Sequence, residues 1–286
     1  MYSIADIQRE ATRSIGNLLA IDLTTSRIEV QCLLQHVLGV QRAYLLAHPE
    51  QGLNETQQFA FDSLLRRRLR GEPIAHLLGE REFFGLKLKV TSATLIPRPD
   101  TELIVELALN RISQAQPCRV VDMGTGSGAI ALAIAKHKPN AEVLAVDASQ
   151  DALAVAIENA QRLEIPNVSF MHSDWFSALD GQRFDLIVSN PPYIASDDIH
   201  LSQGDLRFEP LSALAAGVDG LDDLRRIIND APNFLILDGW ILLEHGYDQA
   251  ERVRALLEEQ GFVQVFSEKD LAGIERVTGG KFMFAI

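Results

Sequence analysis

Cysteine is scarce in this chain of 286 residues: Cys32 and Cys118 are the only two, and they lie far apart. They provide neither a disulfide framework nor the paired spacing of a zinc site, a usage expected in a reducing cytoplasm. Long apolar runs are missing too. No stretch of about 18 apolar residues occurs, so no membrane-spanning helix is expected. The opening MYSIADIQREATRSIGNLLA contains Asp6 and Glu10 and no apolar h-region, so it does not read as a signal peptide. The seven histidines form no metal-ligand spacing and no nucleophile triad, and no metal is expected. Repeats and low-complexity tracts are absent.

Positive charge is also short where a nucleic acid would need it. The formal net charge is −13, distributed unevenly. Residues 1–90 carry 11 Lys+Arg against 10 Asp+Glu, and residues 91–286 carry 15 against 29. An acidic surface repels a phosphate backbone and attracts basic partners. Enzymes acting on nucleic acids normally present a basic groove. Direct nucleic-acid binding is therefore not expected, and the charge leaves room for a basic protein partner. Without a coiled-coil pattern, a monomer is the expectation.

What is present is 47% apolar and 23% charged residues, the profile of a globular protein. Residues 1–80 read as a helical domain. SRIE at Ser26–Glu29 has the form of a capping box, and NETQ at Asn54–Gln57 opens a long helix closed by Gly71 and Pro73. RRRLR at Arg66–Arg70 reads as a solvated helix end. Residues 81–99 read as a hairpin linker, with Leu86, Leu88 and Val90 alternating with lysines. From residue 100 to 286, strands and helices alternate. RVVDM, EVLAVD, VSFMH, FDLIVSN, WILLEH, FVQVF and KFMFAI read as strands, with helices between most of them. That alternation predicts an α/β fold: a mostly parallel, seven-stranded, Rossmann-like sheet, with its ligand at the carboxyl ends of the strands.

The first of these strands runs into Asp122 and then Gly124, Thr125, Gly126, Ser127 and Gly128 before a helix. Glycines allow a sharp turn and close approach to a ligand, and the helix N-terminus offers free N–H groups. Nineteen residues after Gly128 the next strand ends in Asp147, where a carboxylate can accept hydrogen bonds from ribose hydroxyls. The GxGxG spacing is neither the dinucleotide GxGxxG nor a P-loop. Asp147 can also serve as a helix N-cap, and both roles can hold together. Asp174 and Trp175 follow the third strand; Trp175 can stack on an adenine or simply fill space under a loop.

SNPPYI, Ser189–Ile194, follows the fourth strand, and two prolines cannot continue a strand. Glycine loop, ribose acid, aromatic–acid loop and Asn-Pro-Pro-Tyr in this order resemble the class I S-adenosylmethionine-dependent methyltransferases. In those enzymes the turn marks methylation of a planar amino group. Such a nitrogen is a poor nucleophile and needs positioning more than a strong base. The Asn190 side-chain carbonyl and the Pro191 backbone carbonyl can each accept one of its N–H groups. Pro192 stiffens the turn, and Tyr193 can pack on the planar group. A plain stiff turn remains the alternative.

Leu95–Leu103 reads LIPRPDTEL. With DMGTGSG, VDAS, SDWF and SNPPYI following in order, the whole chain resembles the HemK/PrmC family. The resemblance implies transfer of methyl from S-adenosylmethionine to the side-chain amide of the glutamine in the Gly-Gly-Gln loop of class-1 peptide-chain release factors. It implies that Gly124–Gly128 wrap the methionine part of the cofactor, Asp147 binds its ribose and Trp175 lies at its adenine. Asn190, Pro191, Pro192 and Tyr193 would hold the glutamine, with Asn190 also near the cofactor. The helical N-terminal domain would recognise the protein substrate. Arg98, Asp100 and Glu102 lie in the motif without an assigned role, Asp100 being a candidate N-cap. Glu244, at a strand end, reads either as pocket lining or as a structural carboxylate. Alternatives of the same chemistry are a ribosomal-protein glutamine and a nucleic-acid adenine.

Overall fold

The computed structural model describes residues 2–113 and 116–283. It divides into two units, one comprising residues up to Glu80 with Gln203–Phe208, the other Arg81–Ser202 with Glu209 onward.

The smaller unit is helical: α1 (Ile4–Leu19), α2 (Leu23–Leu38), α3 (Arg42–Ala47), α4 (Glu55–Leu69) and α5 (Ile74–Leu78). Its core gathers Ile4, Ile7, Ile15, Val30, Leu33, Leu34, Leu45 and Phe61. Asn54 and Gln57 form the reciprocal capping box at the start of α4. The SRIE box does not form. Asp22 caps α2 instead, its carboxylate accepting from Thr24 N and Thr25 N, because its position places both donors within 2.9 Å. Ser26 lies one turn in, buried, its hydroxyl donating to Asp22 O. Nor is RRRLR wholly solvated. Arg68 is 4% exposed and grips both oxygens of Glu29 at 2.8 and 3.0 Å, with Asp205 at 3.4 Å.

The larger unit begins at Arg81, inside a hairpin of β1 (Glu80–Phe83) and β2 (Leu86–Lys89), whose buried Phe83, Leu86 and Leu88 join its core. Then follow α6 (Glu102–Arg111), β3 (Cys118–Met123), α7 (Ala129–His137), β4 (Ala141–Asp147), α8 (Gln150–Arg162), β5 (Val168–His172), β6 (Phe184–Ser189), α9 (Asp222–Asp230), β7 (Leu235–Glu244), α10 (Ala250–Glu259), β8 (Phe262–Lys269) and β9 (Glu275–Phe282). Seven strands form one sheet in the order β5-β4-β3-β6-β7-β9-β8, with only β9 antiparallel to its neighbours.

Period-two alternation fills both faces of the sheet. Val120, Leu186, Val188 and Leu242 pack on one side with α6 and α7. Val121, Ile187, Ile241 and Leu243 pack on the other with α9 and α10. Strand order reverses at β3, with β4 on one side and β6 on the other, which opens a crevice at the carboxyl ends. Met123 is paired with Ser189, so the glycine loop and the Asn-Pro-Pro-Tyr turn leave the sheet side by side. Ser189 Oγ donates to Met123 O at 2.6 Å and ties the two exits together.

β9 starts at Glu275, before the KFMFAI stretch, whose Phe284–Ile286 lie outside the described residues. No helix among the described residues is long and apolar enough to cross a membrane.

Candidate active site

A cavity of about 570 Å³ opens at the carboxyl ends of β3, β4, β5 and β6, entirely within the larger unit. Gly124, Thr125, Gly126, Ser127, Asp147, Trp175, Asn190 and Pro192 all line it. Three predicted site residues lie outside the lining. Gly128 opens α7 at φ 86°, where a Cβ would sit 3.0 Å from Leu132 Cδ1 and 3.2 Å from Ala156 Cβ. Pro191 is buried, and Tyr193 is half-buried against the apolar cluster beneath α9 and α10.

The glycine loop is fixed from β4. Gly124 N and Thr125 N both donate to Val146 O at 2.9 Å. Asp147 accepts Gly126 N on Oδ2 and Ser149 N on Oδ1, each at 2.8 Å. The cap of α8 is Ser149, not Asp147, since the Ser149 hydroxyl accepts from Ala152 N. Each carboxylate oxygen of Asp147 keeps lone pairs for a ligand. Burial raises its pKa, opposed by those backbone donors. Asp122 is buried beneath the loop. Its Oδ2 accepts from Thr125 Oγ1 at 2.6 Å and Ala131 N at 3.1 Å, while Oδ1 has no partner among the described residues. Burial pushes its carboxyl up to about 7.

Trp175 has a positive φ of 48°, its carbonyl accepting from Ser173 Oγ at 2.6 Å. Its indole N–H donates to Asp223 Oδ1 at 3.1 Å, and a Cβ on Gly124 would lie 3.3 Å from its ring. The ring therefore stands over the glycine loop, close enough that any side chain on Gly124, already at a positive φ of 72°, would crowd it. Asp174 does not stand free: Arg226 grips both its oxygens at 2.8 Å. Asp223 and Arg226, both lining residues, escaped the sequence reading because α9 offers no local motif to mark them.

Asn190 donates from Nδ2 to Thr101 Oγ1 at 3.1 Å, and its Oδ1 accepts no hydrogen bond from the described residues. The turn is braced from behind by Gln249. Gln249 Nε2 donates to Tyr193 O at 3.0 Å, and its Oε1 accepts from Gly246 N at 2.8 Å. Burial drives the Tyr193 phenol well above its ordinary value, so it stays neutral. The IPRPDTE segment supplies supports. Arg98 pairs with buried Glu209, which also accepts from Ile96 N at 2.9 Å. Glu102 accepts from Phe84 N at 3.0 Å. Asp100 is not an N-cap; it faces Arg276 at 3.4 Å.

This donor set suits a nucleoside that carries an amino acid. The Asp147 carboxylate, the Trp175 ring, an unpartnered oxygen of buried Asp122 and the N-terminus of α7 are all gathered around the glycine loop. Among the described residues no group of three or more His, Cys, Asp or Glu is placed to hold a metal ion.

A family described as PrmC N-terminal domain matches residues 10–79, and one described as methyltransferase small domain matches residues 101–205. The release factor glutamine methyltransferase of Bordetella pertussis is 53% identical over 263 residues, 92% of this chain and 97% of that one. Its counterpart from Salmonella typhimurium is 52% identical over 261 residues, 91% and 94% of the two chains. In fold, the chain is similar to a T. thermophilus 16S rRNA N2 G1207 methyltransferase in complex with AdoMet and guanosine. That likeness has a TM-score of 0.52 at 22% identity, covering 71% of this chain and 49% of that one. With a class I methyltransferase sheet, an Asn-Pro-Pro-Tyr turn beside its glycine loop and half of its residues shared with such relatives along nearly the whole length, the chain belongs to the release factor glutamine methyltransferase family.

Proposed function

We propose that this chain transfers a methyl group from S-adenosylmethionine to the side-chain amide nitrogen of the glutamine in the Gly-Gly-Gln loop of class-1 peptide-chain release factors, in the cytoplasm. The observation that carries the reading is Asn190. Its Nδ2 is engaged by Thr101, so Oδ1 is the end left to accept a substrate N–H. The Pro191 carbonyl, one residue on, supplies the second acceptor. Two acceptors hold an NH₂ group in one plane and turn its face toward the incoming carbon. Bound S-adenosylmethionine supplies an electrophilic methyl on a sulfonium. The methyl would replace one hydrogen of the amide, whose proton would pass to solvent, while Asn190 and Pro191 hold the nitrogen's open face toward the methyl carbon.

Gly124–Ser127 would receive the methionine end of the cofactor, with Asp122 Oδ1 beneath them. Asp147 would take the ribose, and Trp175 the adenine. Asp147→Ala is expected to weaken S-adenosylmethionine binding by about 10- to 100-fold, the worth of one or two charge-assisted hydrogen bonds. Titration calorimetry measures this, and unchanged affinity would remove Asp147 from the cofactor site.

The helical unit would recognise the factor, and the acidic larger unit would complement a partner built to approach RNA. Affinity for the factor is then expected to fall as salt rises from about 50 to about 300 mM. Binding insensitive to salt would sink the electrostatic part.

The test of the whole reading is transfer of labelled methyl to a purified release factor, compared with a factor whose loop glutamine is alanine. Label on the first alone supports it. Label on a ribosomal protein or on DNA, with none on the factor, replaces the substrate.

A further inference from the structure

Asn190 can do its work only one way round. A carboxamide turned by 180° about its last bond would present N–H groups to an NH₂ substrate, donor against donor. Something must fix the orientation, and the sheet brings two candidates to the place. Ser189 pairs with Leu243 across β6 and β7, so the residues that follow them, Asn190 and Glu244, leave the sheet as neighbours. Thr101 meets Asn190 from the turn before α6. Thr101 is 4% exposed and Glu244 2%, and Glu244 Oε2 is buried with no hydrogen-bond partner among the described residues.

We infer that Thr101 and Glu244 are positioning residues that set the orientation of the Asn190 carboxamide. The unpartnered Glu244 Oε2 is the acceptor that would draw the Thr101 hydroxyl proton, which would leave Thr101 Oγ1 to accept from Asn190 Nδ2. A hydroxyl has one proton to donate, and whichever neighbour takes it decides what the oxygen offers the other. This matters only if Asn190 Oδ1 receives the substrate amide, as proposed above.

The arrangement is sensitive to pH. Burial pushes the Glu244 carboxyl up to about 7, with Thr101, Arg276 and Asn190 pulling it down and Asp100 pushing it up. Tyr193, also charge-coupled to Glu244, stays neutral. His245 turns its ring away, to Gly246 O and Thr278 Oγ1. Protonated Glu244 becomes a donor to Thr101, Thr101 then donates to Asn190, and the carboxamide is held the wrong way round. Turnover is therefore low below the Glu244 pKa and rises as pH passes through it.

The experiment uses the full chain, a purified release factor and saturating S-adenosylmethionine. Thr101→Val, nearly isosteric, is expected to lower kcat about 10- to 100-fold while the cofactor dissociation constant stays within about twofold, and Thr101→Ser recovers most of the loss. In the wild type, kcat climbs between about pH 6 and pH 8; in Glu244→Gln, which cannot ionise, that step is absent. Wild-type kcat in Thr101→Val, or a wild-type pH profile in Glu244→Gln, overturns the inference. So does equal loss of cofactor affinity and kcat in Thr101→Val without rescue by serine, which would mean general damage to the fold. Asn190→Ala separates the two readings. If it stays active, the amide reading fails first; if it is inactive while Thr101→Val is not, only the positioning pair fails.

Discussion

Asn190→Ala is expected to lower methyl transfer to a release factor by about 10²- to 10³-fold in kcat, the cost of removing one preorganised polar group at a reacting centre. The loss should fall mainly on kcat. In the proposed complex the rest of its loop would still hold the glutamine side chain in the ground state, and what would disappear is the alignment that exposes the nitrogen's face. Cofactor affinity should change far less, because the glycine loop is tied to Asp147 and β4, and Trp175 to Asp223, rather than to Asn190. Single-turnover transfer at saturating cofactor measures it. Retention of a tenth or more of the wild-type rate would mean that the turn shapes the pocket without holding the amide.

The second large effect is on stability. Glu29→Ala is expected to destabilise the helical unit by about 3 kcal/mol, the lower end of the cost of leaving a buried charge without its partner. Arg68 would keep Asp205 at 3.4 Å and Glu72 O at 3.1 Å, which offsets part of the loss. Replacing both members, Glu29→Leu with Arg68→Met, should cost much less than either truncation alone, since no charge is then stranded. Denaturant unfolding of the three variants decides it. A loss under about 1 kcal/mol in Glu29→Ala would place the pair with ordinary surface ion pairs.

Arg68 also shows where sequence reading stops. Four arginines in five residues look like a solvated run, and what buries one of them is a glutamate 39 positions away. The central strands were legible because strands covered on both faces read as unbroken apolar runs, and VVDM, LAVD and LIVS stop where the backbone must turn. The glycine loop and the Asn-Pro-Pro-Tyr turn were legible for the same reason, since special backbone needs special residues. β9 was harder to read. ERVTGGKF has two mid-strand glycines, which ordinarily argue against a strand, yet a Cβ on Gly279 would lie 2.6 Å from Leu242 Cδ2 and 2.8 Å from Phe266 Cε1. The supports of the site were mostly not legible. Glu244 stood out only as a carboxylate at a strand end and Thr101 only as part of LIPRPDTEL; with Gln249, Asp223 and Arg226 they come together through strand order and through packing on the sheet, which no local spacing encodes. Ser26 failed differently. Two residues could each have capped α2, and the choice was made by which lay at the first turn of the packed helix.

The chain has two tryptophans, and they sit in unlike surroundings. Trp240 is pinned between the Arg111 guanidinium, 4.5 Å above its ring, and the edge of Phe266. Trp175 lines the cavity over Gly124, its indole N–H held by Asp223. The protein thus carries a built-in optical probe in the lining of the cavity, at the residue proposed to meet the adenine. Trp240→Phe would leave Trp175 as the sole emitter, and occupancy could then be followed by fluorescence quenching in real time, without label and without turnover.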